Sequence, residues 1–235
     1  MTNTKIWAHR GASAFAPENT LEAFQMAAEM GAYGVELDIQ LTRDGEIVVI
    51  HDEKLERTTN GQGYVKKFTL AELKKLTPEI PTLAEVYALL KPTNLVINVE
   101  LKTGVFDYEG IEAKALELTE QHNMSDSVVY SSFNHYSLQR IKELNPIADI
   151  ALLCGGGIFV TAQQCKYMGA SALHAQARQF NHLYLVEDCR KHGVKLRFWT
   201  VDDPTQLEAM REKGVDGVFT NKLLPGVMQE ATLNA

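Results

Sequence analysis

Short apolar runs alternate with amphipathic segments from one end of the chain to the other. The runs are rich in β-branched and aliphatic residues and are bounded by turn residues, as strands usually are. They predict nine strands, at residues 5–8, 34–41, 46–51, 95–101, 127–131, 149–153, 171–174, 195–200 and 217–220. The segments between them carry apolar residues at i, i+3 and i+4, which predicts helices at residues 20–30, 82–90, 108–122, 135–144, 162–168, 182–192 and 204–213.

This alternation is typical of repeated βα units. Eight parallel strands separated by helices, in a chain of 235 residues, favour an α/β fold of the closed (β/α)8 TIM-barrel type over an open doubly wound sheet. The additional strand at 46–51 follows the turn Thr42-Arg43-Asp44-Gly45, which predicts an antiparallel or bent extension of the second strand. Residues 52–79 are too many for an ordinary connection. We interpret them as a small insertion over the barrel mouth, within a single domain spanning 1–235.

Composition narrows the possible partners. The formal charge is −7 and the chain has no long Lys/Arg run, so nucleic acid is not an expected partner. The N-terminal residues lack the apolar core of a signal peptide, and no apolar stretch approaches the roughly 20 residues that cross a bilayer. A cytoplasmic protein without integral membrane association is therefore predicted, and its oligomeric state stays open. Cys154, Cys165 and Cys189 show no CxxC spacing and are expected to be packing residues.

Two predicted strands carry polar residues in alternation with aliphatic ones. Glu36 and Asp38 share one face of the second strand, and Asn98, Glu100 and Lys102 share one face of the fourth. Strands of a parallel barrel are covered on both faces, so ionised groups that point inward need a partner. A divalent cation would satisfy three converging carboxylates, and an all-oxygen shell favours Mg²⁺ or Ca²⁺ over Zn²⁺. The alternative is a set of ion pairs with Lys or Arg, and Lys102 could serve there or contact a phosphate.

Two histidines lie at the ends of predicted strands, where active sites of this architecture are built. His9 ends the first strand and His51 ends the third. Both lie beside the carboxylate strands, and imidazole titrates near neutral pH, so the two are expected to transfer protons. Arg10 suits either phosphate oxygens or a structural ion pair. Trp199 could fill the barrel or form a wall for an organic leaving group.

Other residues with chemical potential are interpreted as structural. The Gly155-Gly156-Gly157 run could cradle an anion, but a plain βα turn is favoured because no further motif accompanies it. The remaining histidines lie mostly in helix or loop positions, away from the carboxylate strands, and are expected to be surface or capping residues: His122, His135, His174, His182 and His192.

The same residues resemble the glycerophosphodiester phosphodiesterase family, whose members share a TIM-barrel fold. An ordered series of motifs is far more specific than any one of them. The series spans essentially the whole chain: His9-Arg10-Gly11, Pro17-Glu18-Asn19-Thr20, Glu36-Leu37-Asp38, Thr42-Arg43-Asp44-Gly45, His51-Asp52, Arg57-Thr58-Thr59, Glu100-Leu101-Lys102, Phe198-Trp199-Thr200-Val201 and Gly217-Val218-Phe219-Thr220-Asn221.

The resemblance implies a role for each matching residue. It implies that His9 and His51 are the catalytic pair, that Arg10 and Lys102 contact phosphate, and that the metal ligands are Glu36, Asp38 and Glu100. It also implies that residues 52–79 are the family's insertion, and that the products are glycerol 3-phosphate and an alcohol such as choline or ethanolamine. The chain departs from the family at Thr220-Asn221, where Thr-Asp is more usual. Because this position is not among the catalytic ones, the departure is expected to affect local structure rather than activity.

Several mechanistic and functional alternatives stay open. One histidine would deprotonate water or the neighbouring glycerol hydroxyl while the other protonates the leaving alcohol, and the sequence does not assign the two roles. A phospholipase C or sphingomyelinase D relative would be expected to carry an export signal or an exposed apolar rim, and the sequence indicates neither. Lysophospholipase D activity would need only a wider apolar mouth. A non-catalytic sugar-phosphate binding module should have lost at least one histidine or one carboxylate of the site, and all five residues are present.

Overall fold

The computed structural model describes residues 4–156 and 162–223. Within these ranges eight parallel strands form a closed barrel. The barrel is closed because the first strand, Lys5–Ala8, pairs with Gly34–Leu41 on one side and with Gly217–Thr220 on the other. The predicted TIM-barrel fold is thus confirmed. The strands are β1 (Lys5–Ala8), β2 (Gly34–Leu41), β3 (Ile47–Val49), β4 (Val96–Leu101), β5 (Val128–Ser132), β6 (Asp149–Cys154), β7 (Ala172–Gln176), β8 (Lys195–Trp199) and β9 (Gly217–Thr220).

Helices follow the strands and cover the outside of the barrel. Their starts are set by local capping: Thr20 accepts a hydrogen bond from Ala23 N–H, and Asp203 accepts one from Thr205 N–H ahead of Pro204. No helix in the described ranges combines the length and apolar character that crossing a bilayer requires. The helices are α1 (Leu21–Glu29), α2 (Leu70–Leu76), α3 (Leu83–Leu90), α4 (Ile111–Gln121), α5 (His135–Leu144), α6 (Ala162–Met168), α7 (Leu183–His192) and α8 (Pro204–Glu212).

β3 lies outside the barrel order and pairs antiparallel with β2, as the turn at 42–45 predicts. Gly45 adopts φ 78° in that turn, a backbone conformation that favours glycine. The following segment contains α2, which the sequence does not predict as a helix although Thr69 and Glu72 form a capping box at its start. This segment packs against β3 in a small apolar cluster, made of Val48, Ile50, Leu55, Val65, Leu73 and Ile80.

Alternation along the strands separates two environments. Val35, Leu37 and Ile39 of β2 pack outward into the main core beneath the helices, whereas Glu36 and Asp38 point into the barrel and are also buried. The barrel interior contains further polar groups. His174 of β7 is fully buried and lies 3.0 Å from the Arg197 guanidinium. The expectation that His174 is a surface or capping residue is wrong, because an inward position on a barrel strand is buried whatever its polarity.

Candidate active site

The parallel register of β2 and β4 brings three carboxylates together inside the barrel. Asp38 pairs with Glu100, and Glu36 pairs with Asn98. One oxygen from each of Glu36, Asp38 and Glu100 lies within 4.8 Å of the other two, and we call these three residues the carboxylate cluster. Their exposed fractions are only 4%, 1% and 9%. The convergence predicted from the sequence is present.

The negative charge of the carboxylate cluster is only partly compensated by its neighbours. Burial, followed by the charges of Asp38 and Glu100, raises the pKa of Glu36 well above its ordinary value. Burial also raises the pKa of Glu100, although Lys102 opposes the rise. Burial alone would raise the pKa of Asp38, but Lys102, His51 and Arg10 outweigh it and lower that pKa. Among the described residues, Glu36 Oε1 and Asp38 Oδ1 have no hydrogen-bond partner. A hard divalent cation fits these oxygen donors.

Two basic side chains balance the carboxylate cluster in part. Lys102 Nζ lies 2.8 Å from Glu100 Oε1 and 3.6 Å from Asp38 Oδ1. Arg10 Nε lies 3.5 Å from Asp38 Oδ2, and its backbone N–H donates to Glu36 Oε2 at 2.9 Å. The ion pairs weighed as an alternative to a metal therefore exist as well. They leave the pKa of Glu36 raised, so the two interpretations are compatible.

His9 lies just beyond β1, in a tight turn. Arg10 adopts φ 57° and Gly11 φ 79°, and a Cβ on Gly11 would lie 2.7 Å from the backbone of Ala23 in α1. The turn directs His9 Nε2 toward the carboxylate cluster, 3.9 Å from Glu36 Oε2, while Nδ1 lies 2.8 Å from Asn221 Oδ1. Burial, and then the charge of Arg10, lower the pKa of His9. The neutral imidazole is favoured as a result.

His51 reaches the site by a route that differs from the predicted one. It follows β3, which runs antiparallel to β2, so the rule for the carboxyl ends of parallel strands does not apply to it. The hairpin instead returns beside β2, where Ile50 N–H donates to Asp38 O at 2.9 Å. His51 Nδ1 lies 2.6 Å from Asp52 Oδ1. The two imidazoles thus approach the carboxylate cluster from different sides.

A chain of ion pairs connects the surroundings of the two histidines. Asp52 Oδ2 accepts from Arg57 Nε at 2.5 Å, and both Arg57 terminal nitrogens donate to Glu18. Glu18 in turn accepts a hydrogen bond from Arg10 Nη1 at 2.9 Å. Hydrogen bonds from Arg57 and His51 lower the pKa of Asp52 to about 2 despite some burial, so this carboxylate is ionised at neutral pH. Arg57 comes from the 52–79 segment.

Aromatic residues form another part of the wall. Trp199 is half-buried, donates from Nε1 to His174 O at 3.1 Å and meets the exposed Phe133 ring edge-on at 5.5 Å. Trp199 therefore fills space and also lines the site. One cavity contains seven of the eight predicted site residues, with Asp38 joined to it through the carboxylate cluster. Its lining is His9, Arg10, Glu36, His51, Asn98, Glu100, Lys102, Phe133, Leu153, His174, Trp199 and Phe219.

Some neighbours of the site were not singled out from the sequence. Asn19 adopts φ 58° and donates from Nδ2 to Asp38 Oδ2 at 2.9 Å, a contact that only its motif Pro17-Glu18-Asn19-Thr20 could have suggested. Asn221, expected to matter for local structure alone, contacts His9 directly. Phe133 had no signal in its local sequence. Of the glycine run, Gly155 accepts a hydrogen bond from Arg178, and Gly157 lies outside the described residues.

Known proteins share both the sequence and the fold. Residues 9–224 match the model of the glycerophosphoryl diester phosphodiesterase family. A glycerophosphodiester phosphodiesterase of Caldanaerobacter subterraneus subsp. tengcongensis is 45% identical over 93% of this chain and 94% of its own length. An Oleispira antarctica phosphodiesterase, solved in complex with the product sn-glycerol-3-phosphate, is 31% identical with a TM-score of 0.89, over 97% of this chain and 96% of that one. A glycerophosphodiester phosphodiesterase from Thermotoga maritima is 30% identical with a TM-score of 0.84, over 100% of both chains. This chain therefore belongs to the glycerophosphoryl diester phosphodiesterase family and is an enzyme with glycerophosphodiester phosphodiesterase activity.

Proposed function

We propose that this enzyme hydrolyses small glycerophosphodiesters to glycerol 3-phosphate and an alcohol, with His9 and His51 transferring protons beside a bound divalent cation. The observation that carries the proposal is that both imidazoles line one cavity with Glu36 and Glu100. The product in the Oleispira antarctica structure supports the choice of glycerol 3-phosphate. We also infer that residues 1–235 form one domain in which 52–79 are an insertion, since Arg57 of that segment binds groups at the site.

The carboxylate cluster would hold the cation. Its donors are oxygens alone, which suits Mg²⁺ or Ca²⁺, and two of its buried oxygens lack hydrogen-bond partners among the described residues. When bound there, the cation would supply positive charge that stabilises the non-bridging phosphate oxygens as charge builds on them. Arg10 and Lys102 present further positive charge to the same cavity and would orient the phosphate.

The partners of the two imidazoles support a different proton role for each. His9 is half-buried, and its Nδ1 contacts an amide oxygen, so the neutral ring has Nε2 free to accept a proton from the nucleophile. His51 Nδ1 lies 2.6 Å from the Asp52 carboxylate, which would form an ion pair with the ring when the ring carries both protons. His51 would therefore donate a proton from Nε2 to the leaving alcohol. The wall of Phe133 and Trp199 would receive that alcohol.

The nucleophile is either water or the neighbouring hydroxyl of the glycerol moiety. His9 would deprotonate either one at the same position. Attack by the hydroxyl forms a cyclic phosphate that water opens in a second step, and attack by water does not. ³¹P NMR of an enzyme-saturated reaction separates the routes, because the first gives a transient cyclic phosphate signal.

A substrate panel tests the proposal. The purified enzyme is incubated with glycerophosphocholine, glycerophosphoethanolamine, glycerophosphoglycerol and lysophosphatidylcholine, with Mg²⁺, with Ca²⁺ and with a chelator. Glycerol 3-phosphate and free alcohol are then assayed. We expect cation-dependent release of glycerol 3-phosphate from the first three substrates. Release from none of them, or release that a chelator does not reduce, would contradict the proposal, and turnover of lysophosphatidylcholine alone would indicate lysophospholipase D activity.

A further inference from the structure

Asp202, beyond the end of β8, accepts three hydrogen bonds from Thr220, the last residue of β9, and from Asn221, which follows it. Its Oδ1 accepts from Asn221 N–H at 2.8 Å and from the Thr220 hydroxyl at 2.9 Å. Its Oδ2 accepts from Asn221 Nδ2 at 2.7 Å. Burial alone would raise the pKa of Asp202, but the hydrogen bonds from Asn221 outweigh it and lower that pKa. Asp202 is therefore an ionised carboxylate, which can only accept hydrogen bonds.

This carboxylate determines which way the Asn221 amide faces. The amide nitrogen must lie against Asp202 Oδ2, since an amide oxygen there would face a negative oxygen at hydrogen-bond distance. The amide oxygen consequently lies against His9 Nδ1 at 2.8 Å. Ser13 Oγ also lies 2.9 Å from that oxygen, as a hydroxyl able to donate to it. The reversed amide would lose its charge-assisted hydrogen bond to Asp202.

The amide oxygen in turn decides where neutral His9 carries its proton. An amide oxygen has no hydrogen to donate, so His9 Nδ1 must be the donor. The ring nitrogen left with a lone pair is Nε2, which lies on the side of the carboxylate cluster, 3.9 Å from Glu36 Oε2. In the other tautomer Nε2 would carry the proton and could not act as a base.

We propose that Asp202 and Asn221 are positioning residues that act in series to hold His9 in the Nδ1–H tautomer. Asp202 orients the Asn221 amide, and Asn221 orients His9. Neither residue lines the catalytic cavity, so neither is expected to touch substrate. The proposal rests on the proposed role of His9 as the base, although the tautomer can be measured without turnover.

NMR of the full-length protein with Mg²⁺ reads the tautomer directly. ¹⁵N and ¹³C shifts of the histidine ring distinguish Nδ1–H from Nε2–H, and a His9→Asn variant assigns the signal. The wild-type enzyme is expected to show His9 as Nδ1–H. Asp202→Asn frees the amide to reverse, so His9 is expected to gain the Nε2–H form. Wild-type His9 in the Nε2–H form would overturn the proposal, and so would a His9 that stays fully Nδ1–H in Asp202→Asn.

Kinetic measurements on a double variant in which Asp202 and Asn221 exchange residue types separate a positioning role from damage to the fold. Asp202→Asn is expected to lower kcat about 10- to 100-fold with KM nearly unchanged. Asn221→Asp alone sets two carboxylates against each other, whereas Asp202→Asn with Asn221→Asp restores the same donors and acceptors in exchanged order. This double variant is expected to recover the Nδ1–H form and most of kcat. Failure to recover either one in a folded double variant would contradict the proposal.

The matched control is Asp203→Asn, which makes the same chemical change one residue away. Asp203 is exposed and caps α8, a role that Asn also performs, so this variant is expected to keep wild-type kcat. His9→Ala distinguishes the two proposals from each other. If His9→Ala is fully active, the base role of His9 is wrong. If His9→Ala is inactive while Asp202→Asn keeps wild-type kcat, only the positioning role is wrong.

Discussion

Arg57 donates two hydrogen bonds to Glu18, at 2.7 Å from Nη2 and 2.9 Å from Nη1. The same guanidinium donates to Asp52 through Nε at 2.5 Å and Nη2 at 3.0 Å. Because Asp52 binds His51 and Glu18 binds Arg10, one side chain supports groups on two sides of the cavity. The segment 52–79 thus contributes to the site through a residue that does not line the cavity of the two histidines.

Replacement of Arg57 by Ala is expected to lower kcat about tenfold or more while changing stability little. Arg57 is 45% exposed, and exposed ion pairs contribute only about 0–1 kcal/mol to the free energy of unfolding. The loss should come from the freedom that Asp52 and His51 gain, and Arg57→Lys should restore part of it. Arg43→Ala is the control, since Arg43 binds Glu72 in a similar exposed pair away from the histidines. Equal kcat in the two Ala variants would show that Arg57 does not position the site.

Replacement of Glu36 by Gln should abolish cation binding and stabilise the metal-free protein. The raised pKa of Glu36 reflects burial beside two other carboxylates, and an uncharged amide removes that repulsion. Thermal unfolding with and without Mg²⁺ or Ca²⁺ measures both effects. Wild-type Tm should rise with added cation, whereas Glu36→Gln should start higher and stay constant. The exposed Glu120→Gln should behave as wild type. A cation-dependent Tm in Glu36→Gln would contradict the ligand assignment.

Cation affinity should rise with pH. Burial and the neighbouring charges raise the pKa of Glu36, so the metal-free protein keeps a proton there that the cation must displace. The contribution of Glu36 to the stability of the metal-free protein depends on pH in the opposite direction, and falls as the pH rises. It is fully present below the ordinary Glu pKa of about 4.3 and is lost as the pH rises through the higher pKa of the folded protein. Isothermal titration calorimetry in two buffers of different ionisation enthalpy should detect proton release on binding. Affinity that does not change with pH, without proton release, would exclude this coupling.

The barrel and the carboxylate cluster could be predicted because both depend on local alternation. Glu36 and Asp38 alternate with Val35 and Leu37, and any inward-facing parallel strand with that pattern must bury the acids. The helix bounds followed equally from spacing and caps. The position of Glu100 beside Asp38 does not follow from sequence spacing alone, because it depends on the parallel register of β2 and β4.

Contacts between distant segments could not be predicted in the same way. His9 and Asn221 lie 212 positions apart and meet only because the barrel closes between β1 and β9. The position of His51 depends on a hairpin that runs antiparallel to the barrel strands, so His51 lines the cavity for a reason other than the rule about strand ends. Helix α2 was not predicted from the sequence because its seven residues are too few to show helical periodicity clearly.

Replacement of Gly34 by Ala should destabilise the barrel where β1, β2 and β4 meet. A Cβ at this position would lie 2.7 Å from a ring carbon of Trp7, and closer still to the carbonyl oxygen of Val96. Neither neighbour can move without disturbing the strand pairing, so the cost is expected to be about 1–3 kcal/mol or more. Gly104→Ala is the control, because a Cβ there meets nothing within 4 Å. Urea unfolding of both variants measures the difference, and equal midpoints would show that the junction has room for a methyl group.

Replacement of either histidine by Ala should lower kcat by about 10² or more, with different responses to the leaving group. If His51 protonates the departing alcohol, a substrate with an acidic leaving group such as p-nitrophenol needs no such proton. His51→Ala should then lose far less activity on glycerophospho-p-nitrophenol than on glycerophosphocholine, whereas His9→Ala should lose activity on both. His192→Ala is the control, since His192 ends α7 near the opposite rim. If the sensitivity to the leaving group appears in His9→Ala instead, the acid and base roles are exchanged. Near-full activity of either variant on glycerophosphocholine would remove that histidine from the mechanism.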